Sequence, residues 1–288
     1  MNKSSFFATR HLPFLLLLTL SLCLPAASMA GGDARGYIAA PDGTTGILVY
    51  SRHRTGNEVY QKGKKLTSDA NFDLNLQIIR PVYYKEIAGI TTSAQALFPF
   101  GNLQIGDDSA SGLFDPTFIL GVWPVNNREK QLWIAVAQWI KAPFGDYDAN
   151  RNINLGDNRW AFKTEASITK GFGPLYFDLV PSIEFYTDNS NDRGQKRAQD
   201  PLFLLASHVS YDLTSSFMMA LSHYYRKGGE IERDGIKQDN EIETHAMQLT
   251  LGFRLAPKHQ LLTQYRRDLE VENGLLTHQF GLRYFYVF

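Results

Sequence analysis

Three residues near the middle of the chain have the types that catalyse nucleophilic hydrolysis. His208, Ser210 and Asp212 alternate along a predicted strand, so their side chains share one face. Same-face neighbours on a strand stand about 7 Å apart, beyond direct hydrogen-bonding distance. We therefore interpret them as a polar strand face rather than a Ser–His–acid site, and we predict no catalytic residue.

A second pattern has the beginning of a calcium-binding loop. Asp188, Ser190 and Asp192 place oxygen donors at alternate positions, but Arg193 stands where the following Gly is needed and Gln199 replaces the late Glu. The seven His residues show no metal-ligand spacing. We predict a solvated loop here, with no metal site and no cofactor.

Charged residues recur at every second position of several segments, opposite apolar residues. In segment 175–186, for example, Asp178 and Glu184 lie on the face opposite Leu175, Phe177 and Leu179. In a barrel the charged face would point into the lumen. The candidates for lumen lining are Lys163, Glu165, Asp178, Glu184, Arg226, Arg254 and Arg283. Two interpretations stay open: these charges tune what passes a pore, or they pair and fill a narrow barrel.

The sequence pattern predicts twelve strands, and these position the residues named above. We place them near 45–56, 71–85, 87–98, 113–123, 131–143, 159–170, 175–186, 202–212, 216–227, 242–255, 259–269 and 276–288. Alternation alone would also fit a soluble β-sandwich.

The connections between the strands distinguish these two folds. Long connections near 57–70, 99–112, 144–158, 187–201 and 228–241 alternate with short ones near 86, 171–174, 213–215 and 256–258; the link at 124–130 is intermediate. Long outer loops and short periplasmic turns are typical of outer-membrane barrels. No stretch reaches the ~18 apolar residues of a spanning helix. The pattern predicts an all-β, transmembrane, antiparallel up-and-down β-barrel with both termini on the periplasmic side.

The C-terminal residues alternate up to the last one. Phe280, Leu282, Tyr284, Tyr286 and Phe288 form an apolar and aromatic face, while Arg283 lies on the other. A terminal Phe on such a strand resembles the assembly signal of outer-membrane barrels. We predict that Phe288, Tyr286 and Tyr284 form this signal, and that the last strand pairs with the first.

The N-terminus reads as a secretory signal peptide. Lys3 and Arg10 precede an apolar run over 12–24, and small residues precede a cleavage site after Ala30. A lipoprotein would use Cys23, the only cysteine, but the residue before it is too large for a lipobox. We predict a signal peptide at 1–30 and one barrel domain at 31–288, in which residues 31–44 either plug the barrel mouth or hang free.

Several loop motifs resemble those of the outer-membrane protein family associated with the meta-pathway of phenol degradation. They are 143–147 (Pro-Phe-Gly-Asp-Tyr), 154–160 (Asn-Leu-Gly-Asp-Asn-Arg-Trp), 185–189 (Phe-Tyr-Thr-Asp-Asn), 199–201 (Gln-Asp-Pro) and the pair Gly228-Gly229. One departure is Phe144, where the family pattern has Thr. The resemblance implies an outer-membrane barrel and a transport channel, sometimes encoded with aromatic degradation genes.

We therefore expect a Gram-negative outer-membrane channel for passive uptake of small molecules, aromatic or hydrophobic ones among them. The alternatives are an envelope-structural or adhesive barrel with a blocked lumen, and a barrel lipase-like enzyme. The expected partners are outer-membrane lipid and lipopolysaccharide, the barrel-assembly machinery and the small-molecule substrate. A near-neutral chain, with 29 basic and 29 acidic residues, argues against nucleic acid.

Overall fold

The computed structural model describes residues 32–288, and its regular structure there consists of β-strands. Within this range no helix is long and apolar enough to cross a membrane. The predicted signal peptide at 1–30 lies outside the described residues.

Twelve long strands form a closed wall, in which each strand pairs antiparallel with the next. The prediction of an all-β, twelve-stranded, up-and-down barrel is confirmed. In chain order the wall strands are β1 Thr45–Gln61, β2 Phe72–Ile87, β3 Ile90–Ile105, β4 Thr117–Asn127, β5 Leu132–Lys141, β6 Ala161–Phe172, β7 Leu175–Tyr186, β8 Leu202–Asp212, β9 Phe217–Gly228, β10 Ile242–Ala256, β11 His259–Val271 and β12 Gly274–Val287.

The wall closes between its two ends, as predicted. β12 pairs with β1 from Gly46 opposite Val287 to Tyr60 opposite Gly274. Beyond the strand, the backbone N–H of Phe288 donates to the Thr45 carbonyl at 2.9 Å. Closure pairs the backbone groups that an open sheet edge would leave exposed to lipid, where nothing can accept or donate a hydrogen bond.

The two ends of the barrel differ in their connections. At the short-turn end, β2 and β3 meet in a two-residue turn in which Ala88 and Gly89 both have positive φ, 51° and 78°. That conformation matches the right-handed twist of a tight hairpin. The connections then alternate between the two ends, and those that follow β1, β3, β5, β7, β9 and β11 lie at the long-loop end. The last of these, between β11 and β12, is only Glu272–Asn273. β1 begins and Phe288 ends at the short-turn end, whereas Gly32 lies deeper in the lumen, where its carbonyl accepts from the Tyr224 hydroxyl at 3.2 Å.

The predicted loops at 57–70 and 99–112 are wrong in part, because much of their backbone is strand. β1 and β3 continue past the predicted ends to Gln61 and Ile105, and each meets a short returning strand, Lys64–Thr67 or Asp108–Leu113. Loops 187–201 and 228–241 also form short strands, which combine into a small four-stranded sheet. Backbone groups that leave the wall still need partners, and hairpins supply them.

The wall strands mostly present apolar side chains outward and polar ones inward, as in segment 175–186, where Phe177 and Leu179 are exposed and Asp178 is buried. β2 is reversed over its half near the long-loop end. There the apolar side chains of Phe72, Leu74, Leu76 and Ile78 are buried in the lumen. They belong to one cluster with Ile153 and Leu155 of loop 142–160, which folds inward and supplies the apolar partners.

Candidate functional site

A cavity of about 890 Å³ occupies the lumen near the short-turn end. Aromatic side chains of seven wall strands, β1, β2, β4, β5, β7, β9 and β12, surround it, and we call it the aromatic chamber. Some of these rings touch one another: Tyr84 and Trp123 have centroids 5.5 Å apart, and Trp133 and Tyr176 6.4 Å apart. The aromatic residues of the wall that line it are Tyr50, Tyr84, Trp123, Trp133, Trp139, Tyr176, Phe217 and Phe285.

The N-terminal segment, residues 32–44, does not hang free: its part up to Ala40 lies in this chamber, and residues 41–44 lead to β1. Asp33 accepts hydrogen bonds from Arg283 of β12 and Gln264 of β11, each at 2.7 Å. Burial would raise the pKa of Asp33, but the charges of Arg283 and Arg52 outweigh it and lower this pKa to about 2. Asp33 is therefore ionised at neutral pH and anchors the segment to the wall.

Arg35 makes a second anchor on the opposite side of the barrel. Its guanidinium donates to Ser210 and to Asp212, each at 2.7 Å, and lies 3.9 Å from the centre of the Tyr176 ring. The backbone N–H of Arg35 also donates to Asp178 at 3.2 Å. Charge-assisted hydrogen bonds of this kind are stronger than neutral ones.

A third set of contacts holds the segment near its middle. The Tyr37 hydroxyl donates to Glu165, and the Tyr37 carbonyl accepts from the Trp123 indole at 2.8 Å. The Ala39 carbonyl accepts from Arg128 at 2.8 Å, in the turn between β4 and β5. The segment thus spans the lumen from β11 and β12 to β6 and narrows it.

The predicted lumen residues lie inside the barrel at different depths. Six of them are buried: Lys163, Glu165, Asp178, Glu184, Arg226 and Arg283. Arg254 is exposed and lines the chamber at its short-turn mouth. Lys163 lies 3.0 Å from Glu165 and 3.9 Å from the centre of the Trp139 ring, so this pair is a wall contact in the chamber.

A second group of charges lies deeper, towards the long-loop end. Four arginines line a cavity of about 60 Å³ there: Arg52 and Arg54 of β1, Arg226 of β9 and Arg266 of β11. We call these four residues the arginine cluster. Of these, only Arg226 was predicted from the sequence. Arg52 and Arg54 share the inward face of β1 with Leu48 and Tyr50, but the sequence alone does not show which face of β1 points inward.

The residues His208, Ser210 and Asp212 face inward without forming a hydrolytic arrangement. His208 pairs through Nδ1 with Ser222 of β9 at 2.7 Å, whereas Ser210 and Asp212 both bind Arg35. At the long-loop end, Asp192 and Asp188 of the calcium-like pattern pair with Arg233 at 2.8 Å and Lys196 at 2.7 Å. Each of these groups already has a structural partner.

Loop 142–160 closes over the lumen at the long-loop end. Asp115 accepts from the backbone N–H groups of Gly145 at 2.9 Å and Asp157 at 2.8 Å, which fixes the loop in place. Burial would raise the pKa of Asp157, but the charges of Lys141 and Arg159, together with Arg197, hold it well below its usual range. The loop is therefore tied to the wall by an ion pair with Lys141.

These loop residues coincide with the motifs noted in the sequence, and a comparison with protein families gives the same assignment. The model of the family described as "Putative MetA-pathway of phenol degradation" matches residues 55–284. The chain belongs to this family. Two residues of the motifs hold loop 142–160 in this protein: Asp157 pairs with Lys141, and the Tyr147 hydroxyl donates to the Asn191 carbonyl at 2.7 Å. The resemblance predicted from the motifs is confirmed.

Solved structures agree with the family assignment. An outer membrane channel from Pseudomonas putida F1 is 31% identical, with a TM-score of 0.85 over 89% of this chain and 99% of that chain. The translocator domain of the autotransporter NalP from Neisseria meningitidis is 10% identical, with a TM-score of 0.51 over 88% of this chain and 92% of that chain. The NanC porin is 9% identical, with a TM-score of 0.50 over 83% and 98%. A comparison with curated proteins gave no match.

The last two similarities concern the barrel fold alone, whereas the first extends to the family. This phenol-degradation family member is therefore an outer-membrane β-barrel, and the predicted location in the outer membrane is confirmed.

Proposed function

We propose that the protein is an outer-membrane channel through which small aromatic or apolar molecules diffuse inward, without any bond being made or broken. The observation that carries this proposal is the aromatic chamber inside a closed barrel. The similar structure from Pseudomonas putida F1 is described as an outer membrane channel, and the family description refers to phenol degradation.

The chamber suits such molecules in size and chemistry. Its volume of about 890 Å³ falls in the range of small-molecule sites, and charged side chains such as Arg80 and Glu165 line it beside the aromatic rings. Aromatic walls offer stacked and edge-on contacts that are individually weak, so a solute can enter and also leave. The buried indole nitrogen of Trp133 has no hydrogen-bond partner among the described residues and could donate to a hydroxyl substituent.

Passage requires the N-terminal segment to move, because it lines the chamber and crosses it. Its side-chain anchors are polar contacts around Asp33, Arg35 and Tyr37, and apolar packing against the wall is confined to the stretch from Tyr37 to Ala40. Breaking a neutral hydrogen bond that water can replace costs about 1 kcal/mol, and breaking one to a charged group costs about 1.5–3 kcal/mol. The segment can therefore block the lumen and still move aside while the wall strands stay folded.

Three parts of this proposal concern the cellular context. The protein reaches the outer membrane with a signal peptide at 1–30 that is cleaved, leaving the barrel domain at 31–288. The terminal residues Phe288, Tyr286 and Tyr284 address it to the barrel-assembly machinery. The exposed apolar belt of the wall contacts lipid and, in the outer leaflet, lipopolysaccharide.

The test combines single-channel current with ligand binding. Purified protein in planar bilayers should show discrete conductance that neutral benzamide interrupts, and benzamide should quench tryptophan fluorescence. Trp139→Ala should weaken both effects several-fold because it removes a chamber wall. Trp160→Ala is the matched control, since Trp160 is exposed on the outer face of the barrel. Absence of conductance together with absence of quenching would refute the channel.

The same preparation tests the absence of catalysis. Arg35 holds Ser210, so we expect no lipid hydrolysis above background. Hydrolysis that disappears in Ser210→Ala would contradict passive transport and favour a barrel enzyme.

A further inference from the structure

We infer that the arginine cluster is a binding site for the carboxylate group of a small aromatic anion. This inference rests on the proposed channel function and narrows its substrate class. It starts from the cluster of Arg52, Arg54, Arg226 and Arg266 around a cavity of about 60 Å³ in the lumen.

Positive charge exceeds negative charge around this cavity. Arg80 lines it in addition to the cluster, and Asp33 is the only carboxylate among its lining residues. Asp33 accepts hydrogen bonds from Arg283 and Gln264, and its charge also acts on Arg52, so it offsets one of the five arginines. Asp268, in the adjoining cavity, accepts two hydrogen bonds from Thr277 and lies 3.5 Å from Arg54. The inward Glu184 lines neither cavity.

One guanidinium in the cluster is both buried and unsatisfied. Arg226 is only 8% exposed, and its Nε and Nη2 have no hydrogen-bond partner among the described residues. The Nε of Arg52 is in the same condition. Burying a charged donor without a partner is costly, so a barrel wall gains nothing from this arrangement by itself. An anion that reached Arg226 would satisfy these donors.

Two aromatic rings hold the cluster in place without neutralising it. The guanidinium of Arg266 lies 4.2 Å from the centre of the Tyr224 ring, and that of Arg52 lies 5.2 Å from the centre of Tyr50. Cation–π contacts of this kind orient a guanidinium and leave its N–H edge available for an anion.

The neighbouring cavity determines what is attached to the anionic group. Arg80, Gly32 and Asp33 line both the 60 Å³ cavity and the aromatic chamber, so the two spaces adjoin. The small cavity has room for a group the size of a carboxylate, whose two oxygens match the donor geometry of a guanidinium. The chamber takes the aromatic ring. An aromatic carboxylate therefore fits both spaces at once.

The experiment compares benzoate with benzamide, which has nearly the same shape and no charge. Binding to the purified full-length protein is measured by tryptophan fluorescence at low ionic strength. Benzoate should bind about tenfold more tightly than benzamide, as expected for one charge-assisted contact. Arg226→Gln and Arg52→Gln should remove this preference, because they weaken benzoate binding far more than benzamide binding. Arg254→Gln, the same change at the exposed mouth, should preserve the preference.

Each outcome bears on one proposal. If benzamide binds but benzoate has no advantage, or if the advantage survives both cluster substitutions, the carboxylate site is refuted and the channel stands. If neither compound binds and no conductance is seen, the channel itself fails. Both variants are first checked for heat-modifiable migration on a denaturing gel, and Arg52→Gln serves as the test if Arg226→Gln does not fold.

Discussion

Asp33 is the side chain whose charge most directly fixes the N-terminal segment, because it joins Arg283 and Gln264 of two wall strands. Its pKa is lowered to about 2 from the usual 3.8 by Arg283 and Arg52, against the effect of burial. A depressed pKa means that the ionised anchor contributes its full stability above pH 3.8 and loses it as the pH falls towards 2. Around neutral pH the anchor is therefore insensitive to acidity.

We predict that Asp33→Asn increases mean conductance at pH 7, since Arg283 then loses its anionic partner and the segment is released more often. In the unmodified protein, conductance should stay constant between pH 7 and pH 4 and rise only as the pH approaches 2. Single-channel recording across this range checks both statements. Asp42→Asn is the control, because Asp42 is solvent-exposed and binds Lys85 and the Glu86 backbone outside the chamber. Equal conductance in both variants would contradict the anchor.

Some lumen residues could be identified from sequence alternation, and others could not. Lys163, Glu165 and Asp178 stand opposite strongly apolar faces, so their inward direction was predictable. On β1 the faces look alike, because Arg52 and Arg54 alternate with Ser51 and His53, which point outward. Alternation separates two faces but does not say which one meets lipid, and only pairing with neighbouring strands decides it.

Among the elements, the wall strands were predictable and the position of the N-terminal segment was not. A strand carries a local period of two that shows in a single segment. Residues 32–44 have no such period, and their partners are distant in sequence, such as Arg283 for Asp33 and Asp212 for Arg35. β2 shows the same limit, since its apolar residues face inward to meet loop 142–160.

We predict that replacing residues 32–41 by a Gly-Ser sequence of equal length increases conductance several-fold, because the tether keeps its length but loses the anchors. Residues 42–44 are kept, since the Gly43 and Thr44 backbones are hydrogen-bonded to Tyr84 of β2. Planar-bilayer recording and uptake by proteoliposomes measure the effect. A Gly-Ser replacement of the same length in loop 228–241 is the control at the other end of the barrel. Unchanged conductance would show that the N-terminal segment does not limit passage.

At the scale of the whole molecule, closure of the barrel determines which side chains of the last strand face the lumen and which face outward. Chain closure places Arg283 in the lumen and Leu282 and Tyr284 on the outer face of the same strand. β12 therefore completes the wall, supplies the anchor for Asp33 and presents the lipid-facing residues that precede Phe288. The same strand thus takes part both in barrel assembly and in holding the N-terminal segment in the lumen.

The role of Phe288 in assembly can be distinguished from its contribution to the stability of the barrel. Phe288 contributes one backbone hydrogen bond to Thr45 at 2.9 Å, its side chain is exposed, and its ring makes an edge-on contact with Tyr286. One such bond is worth about 1 kcal/mol against the many that close β1 and β12. We predict that deleting Phe288 barely changes the temperature at which the refolded barrel loses its anomalous gel migration, yet lowers the amount assembled in outer membranes several-fold. Phe288→Tyr keeps an aromatic terminus and should assemble normally. If deletion lowered both quantities equally, the loss would be one of closure, and the terminal Phe would have no separate role in targeting.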